Sequence, residues 1–219
     1  MQTKQAQPPS ENAILRALGE FQLAVNSAQV LQIQQYIALL LKWNDKINLT
    51  AIRDPLEILY RHFCESMFGA VVMPLERCRL ADVGSGGGFP GLPMKLIRPE
   101  MDLLLIEANV KKATFLTEVV RELGLSGVRV LVSRYEELHE EVAPLDVVCS
   151  RAVGEFGPFL EWASSPTLGT ERIALWIGGE DASMVRQLPL EGWEWEEPKP
   201  LPHSLRRFVL VGKRVFKGA

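Results

Sequence analysis

The feature that most constrains this chain is a short apolar segment that ends in an acid and leads into a cluster of glycines. Residues 80–93 read LADVGSGGGFPGLP, with Asp82 near the end of the apolar segment and glycines at positions 84, 86, 87 and 88. Glycine is favoured where the backbone takes positive φ or where a ligand approaches it closely. We therefore predict a buried strand, a tight ligand-binding loop and then a helix.

Two nucleotide-binding motifs overlap in this loop. Residues 86–91 fit GxGxxG, the dinucleotide motif, but Pro90 removes an N–H donor where a pyrophosphate would bind the helix start. Residues 82–88 fit DxGxGxG completely, and the acid suits the cationic end of S-adenosylmethionine. A triphosphate loop would need GKS or GKT, which is missing here. The pattern favours a methyl donor over a dinucleotide, with a flexible turn that binds nothing as the structural alternative.

Polar residues follow the next predicted strands. Glu107 lies 25 positions after Asp82 at the end of LLLIE, where an acid can accept hydrogen bonds from ribose hydroxyls. Tyr135 and Glu136 follow the third strand, and Arg151 follows the fourth. The carboxyl ends of parallel strands line one crevice, so the pair at 135 and 136 could reach an adenine and Arg151 could lie beside the substrate. A helix-capping acid and a surface arginine explain the same residues equally well.

The remaining pattern predicts an α/β fold. Ser10 and Ser27 are predicted N-caps of two amphipathic helices, and Asp54 with Pro55 starts a third. From Arg79 onward, strands predicted over 80–83, 102–106, 128–132, 146–149, 172–177 and 208–211 alternate with helices or loops. Such alternation is typical of a mainly parallel, doubly wound sheet. We divide the chain into a disordered tail (1–9), a helical segment (10–78) and an α/β core (79–219).

Composition excludes several classes of protein. The apolar runs are far shorter than the ~20 residues of a membrane span, and MQTKQAQPPS has no apolar core of a secretory signal. The three cysteines lack CxxC spacing and the three histidines are scattered, so neither a disulfide framework nor a metal site is expected. We expect a cytoplasmic protein without contact to a membrane.

The charge distribution is uneven. The net charge of −3 argues on average against nucleic acid, yet residues 199–219 contain six basic residues and no acid. Composition alone favours a solvated edge strand. The six are Lys199, Arg206, Arg207, Lys213, Arg214 and Lys217.

Seven motifs occur in one order along the chain. They are KWNDKINLTAIRDP (42–55), RHFCES (61–66), ADVGSGGGFPGLP (81–93), RPE (98–100), EANVKKATFL (107–116), SRYEEL (133–138) and SRAVG (150–154). Together they resemble the RsmG/GidB family of bacterial 16S ribosomal RNA guanine methyltransferases, from about Leu40 onward.

The resemblance implies a class I (Rossmann-like) methyltransferase that uses S-adenosylmethionine to form 7-methylguanosine in the decoding region. Its partner would be 16S ribosomal RNA or the small ribosomal subunit, and we expect a monomer. The loop motif already predicts cofactor contacts at Asp82 and Gly86. The resemblance implies eight further contacts: Gly84, Phe89, Glu107, Ala108, Asn109, Tyr135, Glu136 and Arg151. Arg151 would also position the substrate, and Lys111, Lys112, Arg206 and Arg207 are candidate RNA contacts on one electropositive face.

The chain departs from the family pattern at three places. Gly178 stands where many relatives have a lysine, Glu65 replaces the usual Asp, and Arg206-Arg207 replaces a closing Arg-His pair. Methylation of guanine N7 needs no general base. The chain accordingly lacks the [DN]PP[FY] motif of methyltransferases that act on amino groups. Cys149 is interpreted as a buried core thiol. A methyltransferase for protein or small molecules and an NAD(P)-dependent oxidoreductase are the alternatives.

Overall fold

A single mixed sheet forms the centre of the protein. The structure, a computed structural model, describes residues 7–151 and 153–215; residues 1–6 of the predicted tail and Lys217 lie outside them. Within these ranges the strands are β1 Arg79–Val83, β2 Asp102–Ile106, β3 Val128–Leu131, β4 Val147–Ser150, β5 Arg172–Gly178, β6 Trp193–Trp195, β7 Lys199–Pro200 and β8 Arg207–Arg214. Their order is β3-β2-β1-β4-β5-β8-β6, with β7 also paired to β8. The first five strands are parallel and β8 is antiparallel, which confirms the predicted doubly wound sheet.

Helices cover both faces of this sheet. They are α1 Glu11–Glu20, α2 Ser27–Asn44, α3 Pro55–Ile58, α4 Glu65–Met67, α5 Gly69–Val72, α6 Gly91–Ile97, α7 Val110–Glu122, α8 Phe156–Ala163 and α9 Gly179–Gln187. The predicted cap at Ser27 is wrong by one residue. Asn26 caps α2 instead, because its side chain accepts from the Gln29 N–H while the Gln29 side chain accepts from the Asn26 N–H.

The helix predicted to run on from Asp54 is interrupted by a π-helical segment, Leu59–Cys64. There the Glu65 N–H donates to the Tyr60 carbonyl, five residues back instead of four. Turns of this kind are frequent at functional sites. The segment contains Arg61 and leads directly into Glu65, both of which reach the site described below.

Alternating side chains of the strands fill two hydrophobic layers. Leu103 and Leu105 of β2 face the layer with α1, α2, α6 and α7, whereas Leu104 and Ile106 face α8 and α9. The helical segment over 10–78 therefore packs on the sheet as part of one continuous core. The described helices include none with the length and hydropathy that a bilayer span requires.

The edge-strand interpretation of the basic C-terminal stretch is wrong. β8 lies between β5 and β6, so β6 is the outer strand at this side of the sheet. Arg214 donates to the carbonyls of Thr170 and Ser164 at 2.7 Å each, and Lys213 pairs with Glu196. Two of the basic residues thus serve the packing of the sheet.

Candidate active site

The glycine loop after β1 has two kinds of glycine. Gly84, Gly86 and Gly88 all have positive φ, at 69°, 55° and 89°. A Cβ on Gly88 would lie 2.1 Å from the Tyr36 hydroxyl, so this position packs against the helical segment. A Cβ on Gly86 would meet only the Gly84 carbonyl oxygen at 3.7 Å. Gly86 therefore leaves open space above the loop, as close approach of a ligand requires.

Asp82 holds the loop from behind. Its side chain is fully buried, and the Gly91 N–H donates to Oδ2 at 2.9 Å. A Cβ on Gly91 would lie 2.8 Å from the same oxygen, so glycine permits this contact. Oδ1 finds no hydrogen-bond partner among the described residues, and burial raises the pKa of Asp82 to about 7. The sequence placed Asp82 among the cofactor contacts, whereas the structure shows it fixing the start of α6.

Glu107 ties the loop to the end of β2. One carboxylate oxygen accepts from the Gly86 N–H and the other from the Asn109 N–H, both at 2.8 Å. Each carboxylate oxygen has lone pairs for a second donor. Glu107 therefore positions the glycine loop and can still accept hydrogen bonds from a ligand.

A first cleft opens at the carboxyl ends of β1, β2, β3 and β4. Five predicted contacts line it together: Gly84, Glu107, Ala108, Tyr135 and Glu136. The ring of Tyr135 is held edge-on against Phe159 and Trp162, with centroids 5.9 and 5.3 Å apart. The cleft thus combines a glycine backbone, acids and an aromatic ring, which fits a nucleoside with polar substituents.

Two other predicted contacts point elsewhere. The Phe89 ring stacks on Tyr36 and His62, with centroids 5.6 and 4.7 Å away, inside the helical layer. The Asn109 side chain caps α7 by accepting from the N–H groups of Lys111 and Lys112. Neither residue is among those that line the first cleft.

Sequence reasoning missed Tyr36. This fully buried residue of α2 donates from its hydroxyl to the Gly87 carbonyl at 2.6 Å. It thereby anchors the loop to the helical segment. Its place on an apolar helix face gave no sign of this contact, because the partner is 51 residues away.

A second cleft adjoins the first and shares Val153 with it. It lies at the ends of β4 and β5, where Arg151 and Gly178 stand. Its lining also includes Arg61, Glu65, Phe156, Trp176, Asp181 and Arg207. The Arg151 side chain therefore belongs to the second cleft and is absent from the lining of the first.

Glu65 is the centre of the second cleft. Its carboxylate accepts a hydrogen bond from Arg151 Nη2 at 3.1 Å and forms an ion pair with Arg207 Nη2 at 2.6 Å, and Arg61 Nε lies 3.7 Å away. Burial raises the pKa of Glu65, while the three arginines lower it. The Glu65 carbonyl accepts from Trp176 Nε1 at 2.7 Å. One buried acid thus joins the π-helical segment, β4 and β8.

The remaining candidate RNA contacts lie on the same edge of the sheet. Lys111 and Lys112 begin α7 just beyond the end of β2, and Arg206 is exposed beside the start of β8. Four strand spacings separate β2 from β8, which is about 19 Å. Arg207, next to Arg206, turns inward to Glu65 instead.

Comparison with known proteins identifies the family. Residues 29–184 match the family described as "GidB: rRNA small subunit methyltransferase G". The chain belongs to this family. It is 37% identical over 162 residues to ribosomal RNA small subunit methyltransferase G of Dichelobacter nodosus, covering 74% of this chain and 75% of that protein. With the protein of the same name from Herminiimonas arsenicoxydans, identity is 39% over 186 residues, covering 82% and 83%.

Solved structures support the fold. A ribosomal protein L11 methylase from Lactobacillus delbrueckii subsp. bulgaricus superposes with a TM-score of 0.57 at 14% identity, covering 72% of this chain and 80% of that one. An SAM-dependent methyltransferase from Aquifex aeolicus gives a TM-score of 0.57 at 17% identity, covering 74% and 94%. At these identities the likeness shows the class I methyltransferase fold alone.

As a GidB family member, the chain is a methyltransferase for ribosomal RNA that uses S-adenosylmethionine. The alternative of an NAD(P)-dependent oxidoreductase does not hold for this family. Within residues 7–151 and 153–215, no group of three or more His, Cys, Asp or Glu side chains could hold a metal ion. The three cysteines are free and buried, as interpreted for Cys149.

Proposed function

We propose that this chain transfers the methyl group of S-adenosylmethionine to N7 of one guanine in the decoding region of 16S ribosomal RNA. The observation that carries the proposal is the adjacency of two clefts that share Val153 at the carboxyl edge of the sheet. One has the donors and acceptors of a nucleoside site, and the other is lined by arginines, which suit RNA.

The first cleft is the cofactor site in this proposal. When bound there, S-adenosylmethionine supplies an electrophilic methyl group. Glu107 accepts hydrogen bonds from the ribose hydroxyls, and Tyr135 with Glu136 contacts the adenine. The exposed backbone at Gly84 accommodates the methionine part, with open space above Gly86, which is outside the lining of the cleft. Asp82, Phe89 and Asn109 support the site without facing the cofactor. Their side chains hold α6, the aromatic layer and α7, respectively.

The second cleft holds the target guanine. N7 of neutral guanine has an in-plane lone pair and no proton, so forming its bond to the methyl carbon needs orientation but no base. The sulfur–methyl bond would break as this bond forms, which leaves S-adenosylhomocysteine and a cationic 7-methylguanine. Arg151 supports this task, since it is held by Glu65 at 3.1 Å while its Nη1 lacks a partner among the described residues. With a turn of the guanidinium group, this buried donor can bind guanine O6 and leave the N7 lone pair directed at the first cleft.

A wider basic edge docks the RNA. Lys111, Lys112 and Arg206 stand on the same side of the sheet as both clefts and can reach phosphates despite the negative net charge. The deep major groove of an RNA helix hides N7, so the target guanine must be exposed or turned out of its stack. The protein would act as a monomer in the cytoplasm, which light scattering and cell fractionation would test.

Transfer of labelled methyl groups tests the proposal. Purified protein with S-adenosylmethionine should label RNA in 16S RNA or in small-subunit particles without added metal, and Arg151→Ala should lower the rate by about a hundredfold or more. The matched control is Arg186→Gln, which breaks an exposed ion pair with Glu197. Label on ribosomal protein alone would instead favour a protein methyltransferase, and full activity of a folded Arg151→Ala protein would remove only the role assigned to that arginine.

A further inference from the structure

The second cleft has two distinct ends. Val153 forms the end next to the first cleft. Arg61, Glu65 and Arg207 form the other end, because they also line a third cleft on their far side. Arg61 and Arg207 therefore stand farther from the cofactor site than Arg151 does.

Three arginine N–H groups at this cleft lack hydrogen-bond partners within the described ranges. They are Nε of Arg61, Nη1 of Arg151 and Nε of Arg207, all buried. Glu65 satisfies only one nitrogen of Arg151 and one of Arg207, and its oxygen is beyond hydrogen-bond distance from Arg61 Nε. Buried donors without acceptors are costly, so a reorientation of these guanidinium groups toward an acceptor-rich ligand in the cleft would be stabilising.

The charge balance of the cleft also favours an anion. Three guanidinium groups line this cleft together with two acids, Glu65 and Asp181, while Arg61 also pairs with Glu57 of the third cleft at 3.5 Å. The pKa of His62, which stacks behind the loop, is lowered to about 3. Burial is the largest cause, and the positive charges of Arg151 and Arg61 lower it further. The third cleft carries the acids Glu20, Asp54 and Glu57, so an anion would approach from the second cleft.

We propose that Arg61 and Arg207 bind a phosphodiester group of the RNA next to the target guanosine, while Arg151 contacts the base. This inference rests on the proposed function and adds the site that fixes the nucleotide's backbone. Arginine forks match phosphate oxygens in charge and geometry. About a third of each side chain is exposed, 37% for Arg61 and 33% for Arg207, so each has accessible surface with which to contact a ligand. Base and phosphate of one nucleotide would then span the cleft from Arg151 to Arg207.

Nucleotide binding tests the site directly. In the presence of S-adenosylhomocysteine, the protein should bind guanosine 5′- or 3′-monophosphate at least about tenfold more tightly than guanosine, as measured by calorimetry. Arg61→Gln and Arg207→Gln should each weaken monophosphate binding about tenfold to a hundredfold and leave guanosine binding unchanged. Arg186→Gln should change neither affinity, since Arg186 lines neither cleft.

The design separates a binding role from a structural one. If both glutamine variants melt earlier but retain the preference for the monophosphate, the cluster only joins β8 to the helical layer and the proposal is wrong. If a glutamine variant does not fold, Arg207→Lys keeps the charge and should show a smaller loss of the same preference. Normal methylation of 16S RNA without any phosphate preference would overturn this inference alone. Phosphate preference without RNA methylation would overturn the proposed function and leave the anion site standing.

Discussion

Replacing Glu107 with glutamine tests how the first cleft is built. The carboxylate accepts two backbone N–H groups, from Gly86 and from Asn109, at 2.8 Å each. Glutamine has the same shape but only one oxygen, so one of these N–H groups would face an amide NH₂. The substitution therefore removes a single acceptor while it preserves volume.

The size of the effect follows from these contacts. An unsatisfied buried N–H costs about 1–3 kcal/mol, and because both of these hydrogen bonds are part-buried, that range is an upper bound here. For a domain of this size, that corresponds to a loss of about 2–12 °C in Tm. The same change removes the charge that would bind ribose hydroxyls. A hydrogen bond to a charged acceptor contributes about 1.5–3 kcal/mol, so the Kd for the cofactor should rise by about 10- to 150-fold.

Titration calorimetry with S-adenosylhomocysteine and thermal unfolding measure the two effects separately. Glu122→Gln is the matched control, because it makes the same chemical change at the exposed end of α7, where Glu122 pairs with its neighbour Arg121. We expect the control to bind like the unmodified protein. A folded Glu107→Gln protein with unchanged cofactor affinity would refute the role given to Glu107 in binding, and an unchanged Tm would refute its role in holding the loop.

Three further changes probe neighbouring parts of the site. Tyr36→Phe removes the donor to the buried Gly87 carbonyl, so urea unfolding should show a loss of about 1–3 kcal/mol; no loss would mean that this contact does not anchor the loop. Asp82→Asn should flatten the pH dependence of stability. The folded-state pKa of Asp82 is raised from 3.8 to about 7, so the stability it contributes is full below the lower value and is lost as pH rises to the higher one. Equal pH slopes for both proteins between these values would contradict that assignment. Gly178→Lys should fold normally, because a Cβ there has ordinary contacts at 3.8 Å and φ is −75°. The added cation in the second cleft should steepen the salt dependence of RNA binding by about one unit, and an unchanged slope would place position 178 outside the RNA path.

The sheet and the glycine loop could be predicted because their signals are local. The bounds of β2 agree with the predicted strand over 102–106, since apolar residues are flanked there by polar ones. The glycines after β1 likewise predict a tight loop. Local pattern does not reveal which side of the loop a residue faces, however. Asp82 and Phe89 carry the motif, yet their side chains lie behind the loop and not in the first cleft.

The second cleft could not be assembled from sequence patterns. The sequence marks its central acid, Glu65, only as a variant position of the RHFCES motif, and its partners are Arg151 after β4 and Arg207 of β8. No periodicity connects residues so far apart in the chain. The sequence predicts Arg206 and Arg207 as one basic pair, although only Arg207 belongs to β8 and Arg206 lies in the bend before it. Arg207 accordingly pairs with Glu65 while Arg206 stays exposed.

Nucleoside mass spectrometry of 16S ribosomal RNA tests the central claim most directly. Small subunits from cells that lack this protein are incubated with the purified chain and S-adenosylmethionine, and the digested RNA is compared with an untreated sample. The proposed function predicts the gain of one 7-methylguanosine per 16S RNA. Methyl on cytosine, on an exocyclic amine or on no RNA nucleoside would contradict it.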